Sequence, residues 1–430
     1  MTSIALGAAT DTRRREAVVA GVIGNVLEWY DFAVFGYLVP VISQLFFPDA
    51  NPYKSLLATL AVFGVGFVMR PVGSVIFGMF GDLFGRRRAL AAVIFLMALS
   101  TLALGCLPTY GQAGVLGPIL LVVCRLAQGL SAGGEWGGST AFIVEHASEG
   151  RRGFVGSWQQ VSVGSGFLLG SLTAFLLNSL LPPETMLSWG WRVPFLLGIL
   201  VGLVGLWLRL RLDDTPKFVE IEQRGQVAKA PLTETLTRYP GQTLLAFGIT
   251  LHNTVAYYIA LIYIPNWFVT AAKLPPRIAL EINTLSLFLF VVLIPFAGAL
   301  SDRIGRRPVL IASCLGYILL TYPLFLMASS GALAWCALMQ LVLVTFLALY
   351  GGAGPATYAE IFPTRVRYTA LSIGYNIAVA IFGGFAPYIA TRLIGLTGSN
   401  LAPTAYVIAA AAVTLFLLLR TRETAFSPLE

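Results

Sequence analysis

Six ionisable residues, Glu28, Asp31, Arg70, Arg125, Glu135 and His252, lie inside long apolar stretches of the chain. A charged side chain at mid-bilayer costs at least about 2.5 kcal/mol on insertion scales, so embedded charges are the first candidates for function. Asp31 and Arg125 make the sharpest pair. On facing helices they would neutralise each other. A proton on Asp31 would weaken that pair and free Arg125 to hold an anion, and a bound anion would favour the proton in return. This linkage is a recipe for moving a proton and a solute together. Glu28 is one helical turn from Asp31, so the two carboxylates can share or relay the proton, and spacing does not decide which one carries it. Arg70 precedes Pro71 and either lines a cavity or braces the bundle. Glu135, in Gly133-Gly134-Glu135-Trp136-Gly137-Gly138, is either a relay or a structural acceptor among small residues that let helices approach closely. His252, with Asn253, Tyr257 and Tyr258, is the most polar cluster of the second half. It either takes part in coupling, hydrogen-bonds a carboxylate or packs. Gln128, Gln159, Gln160, Tyr350 and Asn376 are further candidates for binding a substrate. Trp29, Tyr30, Trp136 and Trp158 suit packing, a lipid belt or a cage for a quaternary ammonium.

The elements that must position these groups are membrane spans. The 430 residues are 57% hydrophobic and only 11% charged, with mean hydropathy +0.80. A soluble domain is about 45–50% apolar and about 25% charged. Spans are expected at 17–46, 54–80, 88–107, 115–145, 153–178, 192–212, 241–270, 277–300, 308–328, 333–358, 368–391 and 402–420. Of the 28 Lys and Arg, 21 then fall on one side, five on the other, and two, Arg70 and Arg125, inside spans. Basic loops mark the cytoplasm, so both termini are expected there. The net charge of +8 is therefore a topology signal, and no nucleic-acid partner is expected. The domain reading is a tail at 1–16, a six-helix bundle at 17–212, a mixed-charge linker at 213–240, a second bundle at 241–420 and a tail at 421–430. Cys106, Cys124, Cys314 and Cys336 have neither metal-site spacing nor the density of a disulfide scaffold.

Two internal echoes support duplication. Gly81-Asp82-Leu83-Phe84-Gly85-Arg86-Arg87 recurs as Ser301-Asp302-Arg303-Ile304-Gly305-Arg306-Arg307, 220 positions later. A Glu ends the fourth span at Glu145 and the tenth at Glu360, each followed closely by Arg, at Arg152 and Arg367. Asp82, Arg86, Glu145 and Arg152, with Asp302, Arg306, Glu360 and Arg367, either form charge pairs that hold one closed state or only fix topology and cap helices. The repeated turn resembles the loops between helices 2 and 3 and helices 8 and 9 of major facilitator superfamily transporters. The resemblance implies the first role, a cytoplasmic latch.

Four longer stretches narrow the resemblance: Gly24-Asn25 through Phe32, Phe67 through Gly73, Arg125 through Glu135, and Trp189 through Phe195. Together they resemble the metabolite:proton symporter family, whose members carry citrate, α-ketoglutarate, shikimate or proline and betaine. The spacing from Arg125 to Glu145 is similar to that in proton-coupled sugar porters, where a first-helix Asp pairs with the corresponding Arg. The resemblance implies an all-α membrane fold of 12 transmembrane helices in two six-helix bundles with inverted three-helix repeats. It also implies a bacterial inner-membrane location and inward symport. Arg125 suits a carboxylate, so a small organic acid is the expected solute, imported with a proton as the coupling ion. A zwitterionic osmolyte such as proline or betaine is the alternative, favoured by Tyr257-Tyr258 and Arg367-Tyr368-Thr369 and disfavoured by a short end in place of a coiled-coil tail. No cofactor, metal or enzymatic activity is expected. The bilayer is the expected partner, and the expected state is a monomer.

Overall fold

The computed structural model describes residues 25–26, 28–84, 86–133, 135–145, 147–148, 150–211, 231–362 and 367–429. The described residues are helical with short connections, and each expected span contains a helix, although 17–24 and 27 of the first lie outside the described residues. The first, α1, runs Glu28–Tyr37 and continues as Val39–Phe46 after a bend of 68°. Pro40 stands at the start of the second piece, where a ring without an N–H cannot continue the incoming helix. Then follow α2 (Pro52–Phe84), α3 (Arg86–Gly105), α4 (Leu116–Ala132, resuming at Trp136–Glu145), α5 (Arg152–Leu180) and α6 (Val193–Arg211). The second half holds α7 (Pro240–Thr270), α8 (Pro276–Ile304), α9 (Arg306–Ala328), α10 (Leu333–Ile361), α11 (Arg367–Thr397) and α12 (Pro403–Arg420). Nine of these pass as membrane-crossing by length and apolarity, ten with the bent pair, while α3 and α4 contribute shorter apolar stretches. The fourth span was expected to be one helix. It breaks after Ala132, among the glycines around Glu135.

Outward faces are studded with exposed apolar residues such as Leu285, Phe288, Phe296 and Leu319, as a lipid-facing surface requires. The two halves meet chiefly where α5 lies along α8, with further contacts of α5 on α10 and of α2 on α11. Glycine makes the closest approach possible. A Cβ on Gly298 of α8 would lie 2.6 Å from the carbonyl oxygen of Gly153 of α5. Within the first half, a Cβ on Gly129 of α4 would collide with the carbonyl oxygen of Gly66 of α2.

The halves touch at both ends. At the end carrying the repeated charged turns, the Asp302 carboxylate accepts the backbone N–H groups of Gly153 (2.7 Å) and Phe154 (2.8 Å). At the opposite end, Asn266 Nδ2 donates to the Gly36 carbonyl at 3.2 Å, and Gly36 abuts Ile262. The halves are therefore in contact at both ends.

Candidate functional site

Arg70 and Glu28 are both buried, and Arg70 Nη2 donates to Glu28 Oε1 in a salt bridge. The Arg70 guanidinium also lies 4.9 Å from the Trp29 ring and within 5.4 Å of the Phe32 and Phe67 rings. Asp31 is reached differently. Its Oδ2 accepts from Thr101 Oγ1 at 2.6 Å and from Gln128 Nε2. Gln128 Oε1 in turn accepts from Arg125 Nη1 at 2.8 Å. The direct Asp31–Arg125 pair expected from the sequence is thus replaced by a bridge through one amide. Arg125 sits instead among the faces of Phe32, Phe35 and Phe63, 4.5–5.5 Å from the ring centroids. Gly66 leaves room for this arrangement, since a Cβ there would sit 3.3 Å from Arg125 Nη2. Five of the six embedded ionisable residues, all but His252, belong to α1, α2 and α4 of the first half.

A small central cavity lies between the halves. Trp29, Gln160 and Val163 line it from α1 and α5; Asn253, Thr254, Tyr257, Tyr258 and Tyr375 line it from α7 and α11. Its wall is four aromatic rings with amides and hydroxyls, and among the described residues no carboxylate or basic side chain lines it. Two π-helical turns, Ile259–Tyr263 in α7 and Val379–Gly383 in α11, follow the lining tyrosines in each helix. Such single π turns recur at functional sites because they re-aim the neighbouring side chains. Tyr375 stacks on Trp136 with ring centroids 3.5 Å apart. Trp29 packs against Phe167 and Tyr257.

The remaining candidates divide. Gln160, Asn253 and Tyr257 line the central cavity, and Gln159 is buried beside it on α5 with neither amide atom bonded. Asn376 spans the two halves, donating to Ser74 Oγ at 3.0 Å and to the Gly133 carbonyl at 3.3 Å. His252 and Tyr350 are placed elsewhere, in the core of the second half. His252 Nε2 is 3.2 Å from Ser313 Oγ, its ring packs against Tyr317 and Tyr350, and Tyr350 donates to the Ile249 carbonyl. Trp158 is half exposed and does not line the central cavity. Thr101, Thr254 and Tyr375 were not anticipated from the sequence. Each is a neutral hydroxyl in an apolar span, a pattern that packing residues share.

At the charged-turn end, the side chains of Asp82, Arg86 and Glu145 lie outside the described residues. Their second-half counterparts form one network. Arg306 binds Asp302 at 2.8 Å and Glu360 at 3.2 Å, and Arg152 of the first half reaches the same Glu360 at 3.2 Å. Arg367 donates to the carbonyls of Ala359 and Phe362 at the end of α10. Glu423, which carried no expected role, accepts the backbone N–H groups of Arg306, Arg307, Thr424 and Ala425. Burial alone would raise its pKa, but those four donors outweigh it and hold the carboxyl below its usual value.

A profile of the family described as "Sugar (and other) transporter" matches residues 17–239 and 220–430. The chain is 34% identical to the glycine betaine/proline/ectoine/pipecolic acid transporter OusA of Dickeya dadantii, over 98% of this chain and 85% of that protein. It is 33% identical to the proline/betaine transporter of Escherichia coli, over 98% of this chain and 86% of that protein. Among solved structures, the proton:xylose symporter XylE superposes with a TM-score of 0.78, covering 97% of this chain and 98% of that one. At 17% identity, that likeness speaks for the fold alone.

Proposed function

The chain belongs to the sugar (and other) transporter family of the major facilitator superfamily, and on that premise we propose that it is a proton-coupled symporter importing a small zwitterionic osmolyte of the betaine or proline kind. The observation that carries this reading is the wall of the central cavity. Trp29, Tyr257, Tyr258 and Tyr375 bring aromatic rings to this wall, where a quaternary or secondary ammonium would gain about 0.5–2 kcal/mol per cation–π contact. Gln160, Asn253 and Thr254 offer hydrogen bonds to a carboxylate at the other end of the same small solute. The organic-acid reading rested on Arg125, but Arg125 is not part of this wall. Citrate would bring several negative charges to a surface with no basic residue, a desolvation cost without a partner. The names of the similar transporters point the same way.

Coupling follows from the first-half network. Glu28 holds Arg70, and Arg70 lies against Trp29, which is itself part of the cavity wall. A proton on Glu28 or Asp31 removes a carboxylate charge from this array and lets its arginine shift, so protonation is felt by the solute through an aromatic ring. The network around Asp302, Arg306, Glu360 and Arg152 is the latch whose release opens one face. The excess of Lys and Arg in the loops at that end supports a cytoplasmic position for it. Melting curves of the purified protein test the solute class. Glycine betaine and proline should raise the melting temperature, and citrate and shikimate should leave it unchanged. Stabilisation by citrate alone would overturn the zwitterion reading.

A further inference from the structure

A second cavity, small and suited to water, is lined by described residues of the first half alone, between α1, α3, α4 and α6. Glu28, Asp31 and Glu135 line it together with Thr101 and the apolar Ile94, Met97 and Ala98. Among the described residues, none of the second half contributes to it. Its position relative to the central cavity follows from helix geometry. At 3.6 residues per turn, Trp29 points about 100° away from Glu28 and about 160° away from Asp31. Helix α1 is therefore the partition: Trp29 faces the solute cavity and the two carboxylates face the side cavity.

Both carboxylates are only half satisfied. Glu28 Oε1 is bonded to Arg70 while Oε2 has no partner, and Asp31 Oδ2 is bonded to Thr101 and Gln128 while Oδ1 has none. Each residue is 3% exposed, so these are buried carboxyl oxygens without donors among the described residues. Burying such an atom is costly unless water or an ion meets it. A metal ion is poorly served. A hard divalent cation takes about six or more oxygens. Here the Ser131 hydroxyl is committed to the Val93 carbonyl, the Thr101 hydroxyl is engaged with Met97 and Asp31, and much of the remaining wall is hydrocarbon. Water, which needs only a few polar partners, suits the space.

We propose that this side cavity is a proton vestibule: water held between α1, α3, α4 and α6 passes the coupled proton to Asp31 and Glu28 from the face of α1 turned away from the solute. Proton and solute then reach the coupling groups by separate routes, and the solute never has to vacate its cavity for the proton to arrive. The vestibule rests on the symport reading above. It adds where the proton enters.

The test uses Ala98, which lines the vestibule and takes no part in the ion-pair network. In proteoliposomes, Ala98→Leu should keep glycine betaine exchange at equal pH yet lose pH-driven accumulation down to the level left by a protonophore. Ala98→Ser should behave as wild type. In a Cys106→Ser background, Ala98→Cys should react with a small membrane-permeant methanethiosulfonate at the same rate with and without saturating glycine betaine. Full pH-driven accumulation by Ala98→Leu overturns the vestibule. So does an unreactive Cys at 98, or one that the solute protects. The labelling is read without transport, so it keeps this question apart from the symport reading. Wild-type uptake indifferent to the protonophore would overturn symport itself, while solute-independent labelling would still establish a separate aqueous route.

Discussion

Asp302→Asn isolates one of the charges that join the two halves at the basic end. The carboxylate of α8 caps the first turn of α5 through the N–H groups of Gly153 and Phe154, at 2.7 and 2.8 Å. Hydrogen bonds to a charged group contribute about 1.5–3 kcal/mol each. An anion at a helix N-terminus adds about 0.3–1 kcal/mol. The amide keeps the size of the side chain and one acceptor oxygen, so one of the two bonds survives in neutral form. Arg306 is not stranded, since Glu360 still holds it at 3.2 Å. The closed state at this end should therefore lose about 2–4 kcal/mol, which moves the closed-to-open ratio by roughly 30- to 1,000-fold at 1.36 kcal/mol per tenfold. Spin labels at Arg151→Cys and Arg303→Cys, in a Cys106→Ser background, report the separation of the halves by pulsed dipolar spectroscopy. A longer-distance population should appear in the variant without solute. Identical distance distributions in variant and parent would refute the idea that this carboxylate holds the end shut.

Asp31→Asn should abolish uphill uptake while leaving solute exchange intact; normal pH-driven accumulation by the variant would remove Asp31 from coupling. Trp29→Leu should weaken glycine betaine binding by about 2- to 30-fold, the range of one lost cation–π contact, measured by titration calorimetry, and an unchanged affinity would move the ammonium elsewhere. Glu423 gives a pH prediction. Its carboxyl is held below its usual value by four backbone donors, so its hold on the start of α9 is complete at neutral pH and is lost only as pH falls through the depressed value. A spin label at Phe426→Cys should stay equally immobile from about pH 8 down to about pH 5, whereas adding Glu423→Gln should loosen it already at neutral pH.

Much of the fold was legible because burial in lipid requires runs of apolar residues, and those runs are hard to mistake. The duplicated Asp302 and Arg306 turn was legible too, since charge at a helix end stands out against such a background. The facing of each span was not. A helix apolar around its whole circumference has no stripe to show which side is inward. That is why His252 and Tyr350 read as cavity residues although they pack against each other in the second-half core. The same ambiguity hid the partition made by α1. Gln128 was visible as a polar residue, but nothing in its type says that it stands between Asp31 and Arg125. Glu423 follows the last span among ordinary polar residues, and only the geometry makes it a cap.

The claim on which the rest depends is that solute and proton cross together, and pH recording during solute entry measures it directly. Glycine betaine added outside lightly buffered, gradient-free proteoliposomes should make the external medium alkaline as labelled solute enters, with both signals absent from Asp31→Asn. Solute entry at full rate with no change in external pH would contradict the account.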